Sequence, residues 1–239
     1  MLEGSVRDQI IVALDCDHER ALSLGQMLAG KVGWVKVGMT LFYSAGPAIV
    51  SQFKDLGLKV FVDLKIHDIP HQVEGAVRAA ALTGADLMTV HGLGGSSMLK
   101  AARRGVEAAG TDTRLIAVTI LTSMDETALR EIGVDTPLAH EVDCLARLAH
   151  DSEMDGVVCS PQEAARMRSL LGAHAWVVTP GVRPQGASAG DQSRIATPAQ
   201  AVALGASHIV VGRPIVQADD PVCALEGIVR ELSSSSEAV

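Results

Sequence analysis

Apolar positions along this chain fall into short aliphatic runs, separated by longer stretches where apolar residues recur at helical spacing. Eight runs stand out: QIIVALD ending at Asp15, VGWVKVG around Lys36, LKVFVDLK ending at Lys65, ADLMTVHG near His91, RLIAVTILT near Thr122, DGVVCS ending at Ser160, AWVVTPG ending at Gly181 and SHIVVGR ending at Arg213. Runs without polar alternation are what strands covered on both faces require. Between them lie Ala-rich amphipathic stretches such as ERALSLGQMLAG, QVEGAVRAAALTG and SPQEAARMRSLLG. The last begins with Ser160, Pro161 and Glu163 in capping-box order, and Gly84 and Gly172 stand where helices end. Strands alternating with helices predict a parallel sheet with crossover helices.

Eight such units in 239 residues match the arithmetic of an α/β fold of the (β/α)8 TIM-barrel kind, in a single domain over residues 1–232. The Ser-rich end, residues 233–239, reads as a frayed tail. A doubly wound open sheet is the competing architecture. It commonly carries a glycine-rich turn after strand 1, whereas strand 1 here runs into Leu14-Asp15-Cys16-Asp17.

Composition adds exclusions. Aromatics are only 3% of the chain, so the core is aliphatic and a base-stacking surface is disfavoured; with a net charge of −8, no nucleic-acid partner is expected. The four cysteines have no CxxC spacing, and no metal site is expected from them. The start, MLEGSVRDQI, is charged where a secretory signal is apolar, and no apolar run is long enough to cross a membrane. The expectation is a cytoplasmic protein with no membrane association.

In a barrel, chemistry gathers at the C-terminal ends of the strands. Those ends carry Asp15, Lys36, Asp63 and Lys65, Thr122 and Ser123, and Arg213. Ionisable groups at inward strand positions are costly unless paired, so the cluster points to a site more than to packing. Its densest part is Asp63-Leu64-Lys65-Ile66-His67-Asp68. A period of two puts Asp63 and Lys65 on one face, and a lysine between carboxylates stays protonated, a cation and proton donor rather than a Schiff-base nucleophile. A second constellation spans residues 181–194, GVRPQGASAGDQSR, and VGRPI at 211–215. These loops follow strands 7 and 8, where barrels bind phosphate; glycines expose backbone N–H groups and Arg213 adds a forked donor. His67 and His71 are read as no zinc pair, because Pro70 stands between them, and HGLGGSS at 91–97 as a tight turn.

VALD (12–15), KVG (36–38), DLKIHDIP (63–70), AVTILTS (117–123), DGVVCSPQE (155–163), TPGVRPQG with GDQ (179–192) and VGRPI together resemble the orotidine 5′-phosphate decarboxylase family over nearly the whole length. The resemblance implies cofactor-independent loss of carbon dioxide from orotidine 5′-phosphate, giving uridine 5′-phosphate in the last step of de novo synthesis. It implies that Lys65 protonates C6, Asp63 lies beside the departing carboxylate, and Lys36 and Asp15 hold the charge network and the ribose hydroxyls. Asp68 and Ile69 are implied to complete the partner's site in a homodimer. Thr122 and Ser123 would meet the pyrimidine, and Arg183, Gln192, Gly212 and Arg213 the phosphate. The loop at 181–194 would close over it and exclude water. The family commonly continues DIP with Asn-Thr, and here His71 and Gln72 follow, so Gln72 takes the place of the ribose-binding threonine.

Two rivals stand beside this reading. A metal-dependent relative acting on a sugar phosphate such as 3-keto-L-gulonate 6-phosphate shares DxKxxD but places an acidic magnesium ligand at the end of strand 2, where this chain has Lys36. A non-catalytic phosphate-sensing barrel needs the two loops but not Lys65 among carboxylates.

Overall fold

The computed structural model describes residues 5–184 and 196–236. Among them, eight strands form one closed parallel barrel in sequence order, β8 pairing back to β1. The strands are β1 Ile10–Ala13, β2 Trp34–Gly38, β3 Lys59–Ile66, β4 Leu87–His91, β5 Arg114–Val118, β6 Gly156–Val158, β7 Trp176–Thr179 and β8 His208–Val211. Closure excludes the open doubly wound sheet. All eight aliphatic runs are strands, though most stop two or more residues before the polar ends that the sequence pattern included.

Around the barrel run α1 His18–Leu28, α2 Met39–Ala45, α3 Ala48–Asp55, α4 Pro70–Ala81, α5 Gly95–Ala109, α6 Glu126–Glu131, α7 Leu138–Asp151, α8 Ala164–Leu171, α9 Pro198–Ala203, α10 Arg213–Val216 and α11 Pro221–Ser236. Local signals start and stop them. Asp17 accepts a hydrogen bond from Arg20 N at 2.9 Å to cap α1, and Pro70 opens α4 at the position where its missing N–H costs nothing. Gly84 and Gly172 have φ of +92° and +85°, a region that disfavours any side chain. The last helix continues through Ser236, so Ser233 to Ser236 are helical rather than a tail; the Ser233 hydroxyl donates to Val229 O at 2.9 Å.

The core has two parts. Outward strand residues such as Val12, Val35, Val60 and Val177 pack with the apolar faces of the helices. Inside the barrel Ile11, Ala13, Trp34, Phe61, Leu87, Ile116, Trp176, Val178 and Val210 fill the lumen. The period of two along each strand decides which residues follow these inward ones toward the C-terminal rim: Lys36 comes two after Trp34, and Asp63 two after Phe61. Among the described residues, no helix is long and apolar enough to cross a membrane.

Candidate functional site

At the C-terminal rim the inward polar residues form one chain of alternating charge. Lys36 Nζ donates to Asp15 Oδ1 at 2.9 Å and lies 3.5 Å from Asp63 Oδ2. Lys65 Nζ donates to Asp63 Oδ1 at 2.8 Å. Lys36 and Asp63 are nearly enclosed, with side chains 9% and 12% exposed, whereas the Asp15 side chain is 56% exposed at the outer end. Burial alone pulls the Lys36 ammonium toward neutrality, but Asp63 and Asp15 outweigh it and hold its pKa above the ordinary lysine value. Burial likewise pushes Asp63 up, and Lys36, Lys65 and hydrogen bonds from Lys65 and Thr89 overcome it, leaving the carboxyl below its ordinary value. Both groups are therefore charged at neutral pH.

Backbone features make this proximity possible. The β3–β4 register shifts between Val62 and Ile66, and Lys65 sits at φ +49°, the left-handed region that non-glycine residues seldom enter. Such an outlier at a strand end is a common mark of a functional site. Gly38 leaves room beside the chain: a Cβ there would lie 2.6 Å from Asp15 Oδ1 and 2.9 Å from Lys36 Nζ.

A cavity of about 560 Å³ opens over these groups. Its floor is apolar, with Ala13, Phe61, Val158, Val178 and Val210, and its wall carries Asp15, Lys36, Asp63 and Lys65. Thr122 and Ser123 line it from the segment after β5, Arg183 from the segment after β7, and Gly212 and Arg213 from the segment after β8. Thus nine residues marked by the sequence come together around one volume. Arg183 is buried and donates to Val182 O at 2.8 Å, while Arg213 is exposed at the entrance.

Three marked residues lie elsewhere. Asp68 and Gln72 line a separate groove of about 590 Å³ that meets the charge chain only at Lys65, and Ile69 is 64% exposed and faces neither volume. Asp68 Oδ1 accepts from Ile69 N at 2.6 Å. Gln192, and the segment 185–195 of the expected closing loop, lie outside the described residues. Among the described residues, no group of three His, Cys, Asp or Glu is placed to hold a metal ion. His67 stacks on His91, ring centroids 5.3 Å apart.

Two groups at the site escaped the sequence reading. Gln217 joins the cavity wall just after α10, in a stretch with no distinguishing pattern. Thr89, fully buried on β4, donates to Asp63 Oδ1 at 2.9 Å. Its only signal was one polar residue inside an apolar run, and threonine is a good strand former on its own account.

Comparison with known proteins places this geometry. Residues 8–228 match the family described as orotidine 5′-phosphate decarboxylase / HUMPS family. A protein named orotidine 5′-phosphate decarboxylase from Cutibacterium acnes is 50% identical over 220 residues, 91% of this chain and 93% of that one. Another of the same name from Chromohalobacter salexigens is 48% identical over 95% of this chain and 97% of its own. Among solved structures, the orotidine 5′-phosphate decarboxylase of Lactobacillus acidophilus superposes with a TM-score of 0.81 at 41% identity, covering 94% of this chain and 99% of that one. With a matched span running from the start of β1 into α11, the chain belongs to the orotidine 5′-phosphate decarboxylase / HUMPS family.

Proposed function

We propose that this chain decarboxylates orotidine 5′-phosphate to uridine 5′-phosphate without a cofactor, with Lys65 as the proton donor to C6. The chain is a carboxy-lyase of pyrimidine synthesis by its family and near-full-length relatives; the residue roles rest on one observation. That observation is the Asp15–Lys36–Asp63–Lys65 chain, with contacts of 2.8 to 3.5 Å, on the wall of a cavity that also carries Arg213.

Losing carbon dioxide from C6 leaves an electron pair in the ring plane, where the π-system does not delocalise it. A fixed ammonium beside that carbon stabilises the developing charge and then delivers its proton. Lys65 is held for this by Asp63, and Lys36 and Asp15 hold Asp63 in turn. Asp63 lies beside the departing carboxylate. One ion pair at about 4 Å is worth roughly 4 kcal/mol at an effective dielectric near 20, short of the roughly 8 to 23 kcal/mol by which enzymes typically lower barriers. Binding energy from the remote phosphate supplies part of the difference by fixing the ring against the charge chain. Arg183, Gly212 and Arg213 line the cavity on the side of the phosphate loops and hold the phosphate; Gln192, outside the described residues, is assigned to it by family resemblance alone. Thr122 and Ser123 meet the pyrimidine.

A second copy of the chain completes the site. Asp68 and Ile69 do not line their own cavity; Asp68 lines the groove instead, together with Tyr43, which is 72% exposed, and the neighbouring Ile69 is 64% exposed. A partner docked there brings Asp68 and Ile69 to its neighbour's cavity, and Gln72 to the ribose position.

The test is the loss of orotidine 5′-phosphate absorbance on adding the purified protein, unchanged by EDTA. Lys65→Ala abolishes turnover while uridine 5′-phosphate still binds. A persistent substrate signal, or turnover that depends on added magnesium, refutes the proposal. The magnesium outcome favours the sugar-phosphate relative, against which the Lys36 ammonium at the end of β2 already speaks.

A further inference from the structure

Thr89 lies at the centre of β4 with no solvent exposure, between Met88 and Val90, and it projects into the lumen two residues after Leu87. Its hydroxyl makes two hydrogen bonds. Lys65 N donates to Thr89 Oγ1 at 2.9 Å, and Thr89 Oγ1 lies 2.9 Å from Asp63 Oδ1. An amide only donates and an ionised carboxylate only accepts, so the hydroxyl proton points to Asp63.

The Lys65 amide needs this partner for a local reason. The β3–β4 ladder is interrupted between Val62 and Ile66, with Lys65 in left-handed conformation. A buried N–H outside the ladder must find another acceptor. One side chain thus closes the interruption in the backbone and aims the carboxylate that grips Lys65 Nζ.

We infer that Thr89 is a positioning residue for decarboxylation, fixing the Asp63 carboxylate and the Lys65 backbone so that their 2.8 Å ion pair faces the reacting carbon. The inference rests on the decarboxylase reading. Valine would fill the same volume in an otherwise apolar lumen, so packing gives no reason for a hydroxyl here. Both of its hydrogen bonds end on residues of the charge chain. The bond from Thr89 also contributes to holding Asp63 ionised.

The experiment compares Thr89→Val and Thr89→Ser with the unchanged protein, measuring kcat and KM for orotidine 5′-phosphate and the Kd of uridine 5′-phosphate. Thr89→Val lowers kcat roughly 10- to 100-fold, the range for losing a hydrogen bond to a charged group or displacing a reacting group by about 1 Å. KM and the Kd of uridine 5′-phosphate change by less than about threefold, because the phosphate grip is untouched. Thr89→Ser, which keeps the hydroxyl, returns kcat to within about threefold of the unchanged protein. Undiminished kcat in Thr89→Val overturns the role. So does a joint fall of kcat and uridine 5′-phosphate affinity, which marks general damage, and so does a Thr89→Ser protein as impaired as Thr89→Val. If the unchanged protein does not turn over orotidine 5′-phosphate, the decarboxylase reading fails and takes this role with it; if it does, the variants judge Thr89 alone.

Discussion

Acid should weaken this barrel from the end opposite the candidate site. There Trp176 stacks on His208 at 4.0 Å between centroids, Trp34 meets both rings edge-on, and a second cavity of about 480 Å³ opens beside them. Lys59 and Arg114 already cover the two indole faces, at 5.3 and 5.0 Å, so the cluster is a plug rather than a ligand platform. Burial, with Lys59, Arg114 and Arg168 nearby, pushes the His208 pKa down to about 4 against a weaker opposing pull from Asp8. The folded state therefore binds fewer protons than the unfolded chain between that value and the ordinary histidine value near 6.5. Stability from this group is complete above about pH 6.5 and falls as pH drops toward 4. The full difference is about 3 kcal/mol, of which about 2 kcal/mol is lost between pH 7.5 and 5.

The two shifted groups of the charge chain do not imitate this slope. Asp63, with its lowered pKa, gives stability that is lost only as pH falls through the folded carboxyl value, below the window. Lys36, with its raised pKa, gives stability lost only as pH rises past the ordinary lysine value, above it. His91, pushed down to about 4 by burial, His67 and Lys65, adds in the same direction with a smaller weight because it is partly exposed. The assay is urea unfolding at pH 7.5 and 5, read by tryptophan fluorescence. The chain has two tryptophans and both touch His208. At a slope of about 3 kcal/mol per molar, 2 kcal/mol moves the midpoint by roughly two thirds of a molar. His208→Phe keeps a ring on Trp176 and removes the titration. Ser207 Oγ remains satisfied by Val177 N at 2.9 Å and Val177 O at 3.1 Å. The variant should lose much less between the two pH values. An equal loss in both proteins, or none in the unchanged one, refutes the argument.

Two further outcomes follow from the site. Gly38→Ala places a Cβ 2.6 Å from Asp15 Oδ1 and 2.9 Å from Lys36 Nζ, at a backbone φ of −84° that alanine adopts freely, and the nearest atoms it meets are side-chain ends rather than backbone. Thermal unfolding should barely move, while kcat falls roughly 10- to 100-fold as the Asp15–Lys36 pair is displaced; unchanged kcat would show that this pair is not needed. If Asp68 serves the partner's site, Lys65→Ala and Asp68→Ala proteins, each inactive, should recover roughly a quarter of full activity after unfolding and refolding together, since half of the dimers are mixed and each has one intact site. A mixture as inactive as its parents would place Asp68 outside the shared chemistry.

The barrel was legible because buried parallel strands must be apolar on both faces, which makes each one a distinct run. The polar rim misled the boundaries: β1 stops at Ala13 and β6 at Val158, since Asp15 and Ser160 leave the ladder to serve the cavity and a helix start. On β3 the opposite happens. The strand continues through Lys65 to Ile66, and a register shift lets Asp63 and Lys65 meet more closely than period two alone brings them. Charge at inward positions was readable because nothing apolar explains it. The support from Thr89 was not, because its role depends on that register shift, which no local pattern announces. Asp68, Ile69 and Gln72 were reached only through resemblance, and the structure places them away from the cavity; on the proposed reading a second chain brings them to it.

Charge arithmetic around the cavity ties these pieces together. The chain of Asp15, Lys36, Asp63 and Lys65 sums to zero, and Arg183 and Arg213 raise the described cavity lining to +2 inside a protein of net charge −8. On the proposed reading, a phosphate near −2 is matched by the arginines, and the orotate carboxylate is one negative charge more than the lining balances. That excess enters beside Asp63, where it is repelled, and during reaction it moves to C6, where Lys65 meets it and gives up a proton. The local field along the Asp63–Lys65 pair therefore favours the charge distribution of the transition state over that of the bound substrate. A neutral chain is needed for this: an extra fixed cation would hold the carboxylate as firmly as the carbanion, and binding both equally does not raise kcat.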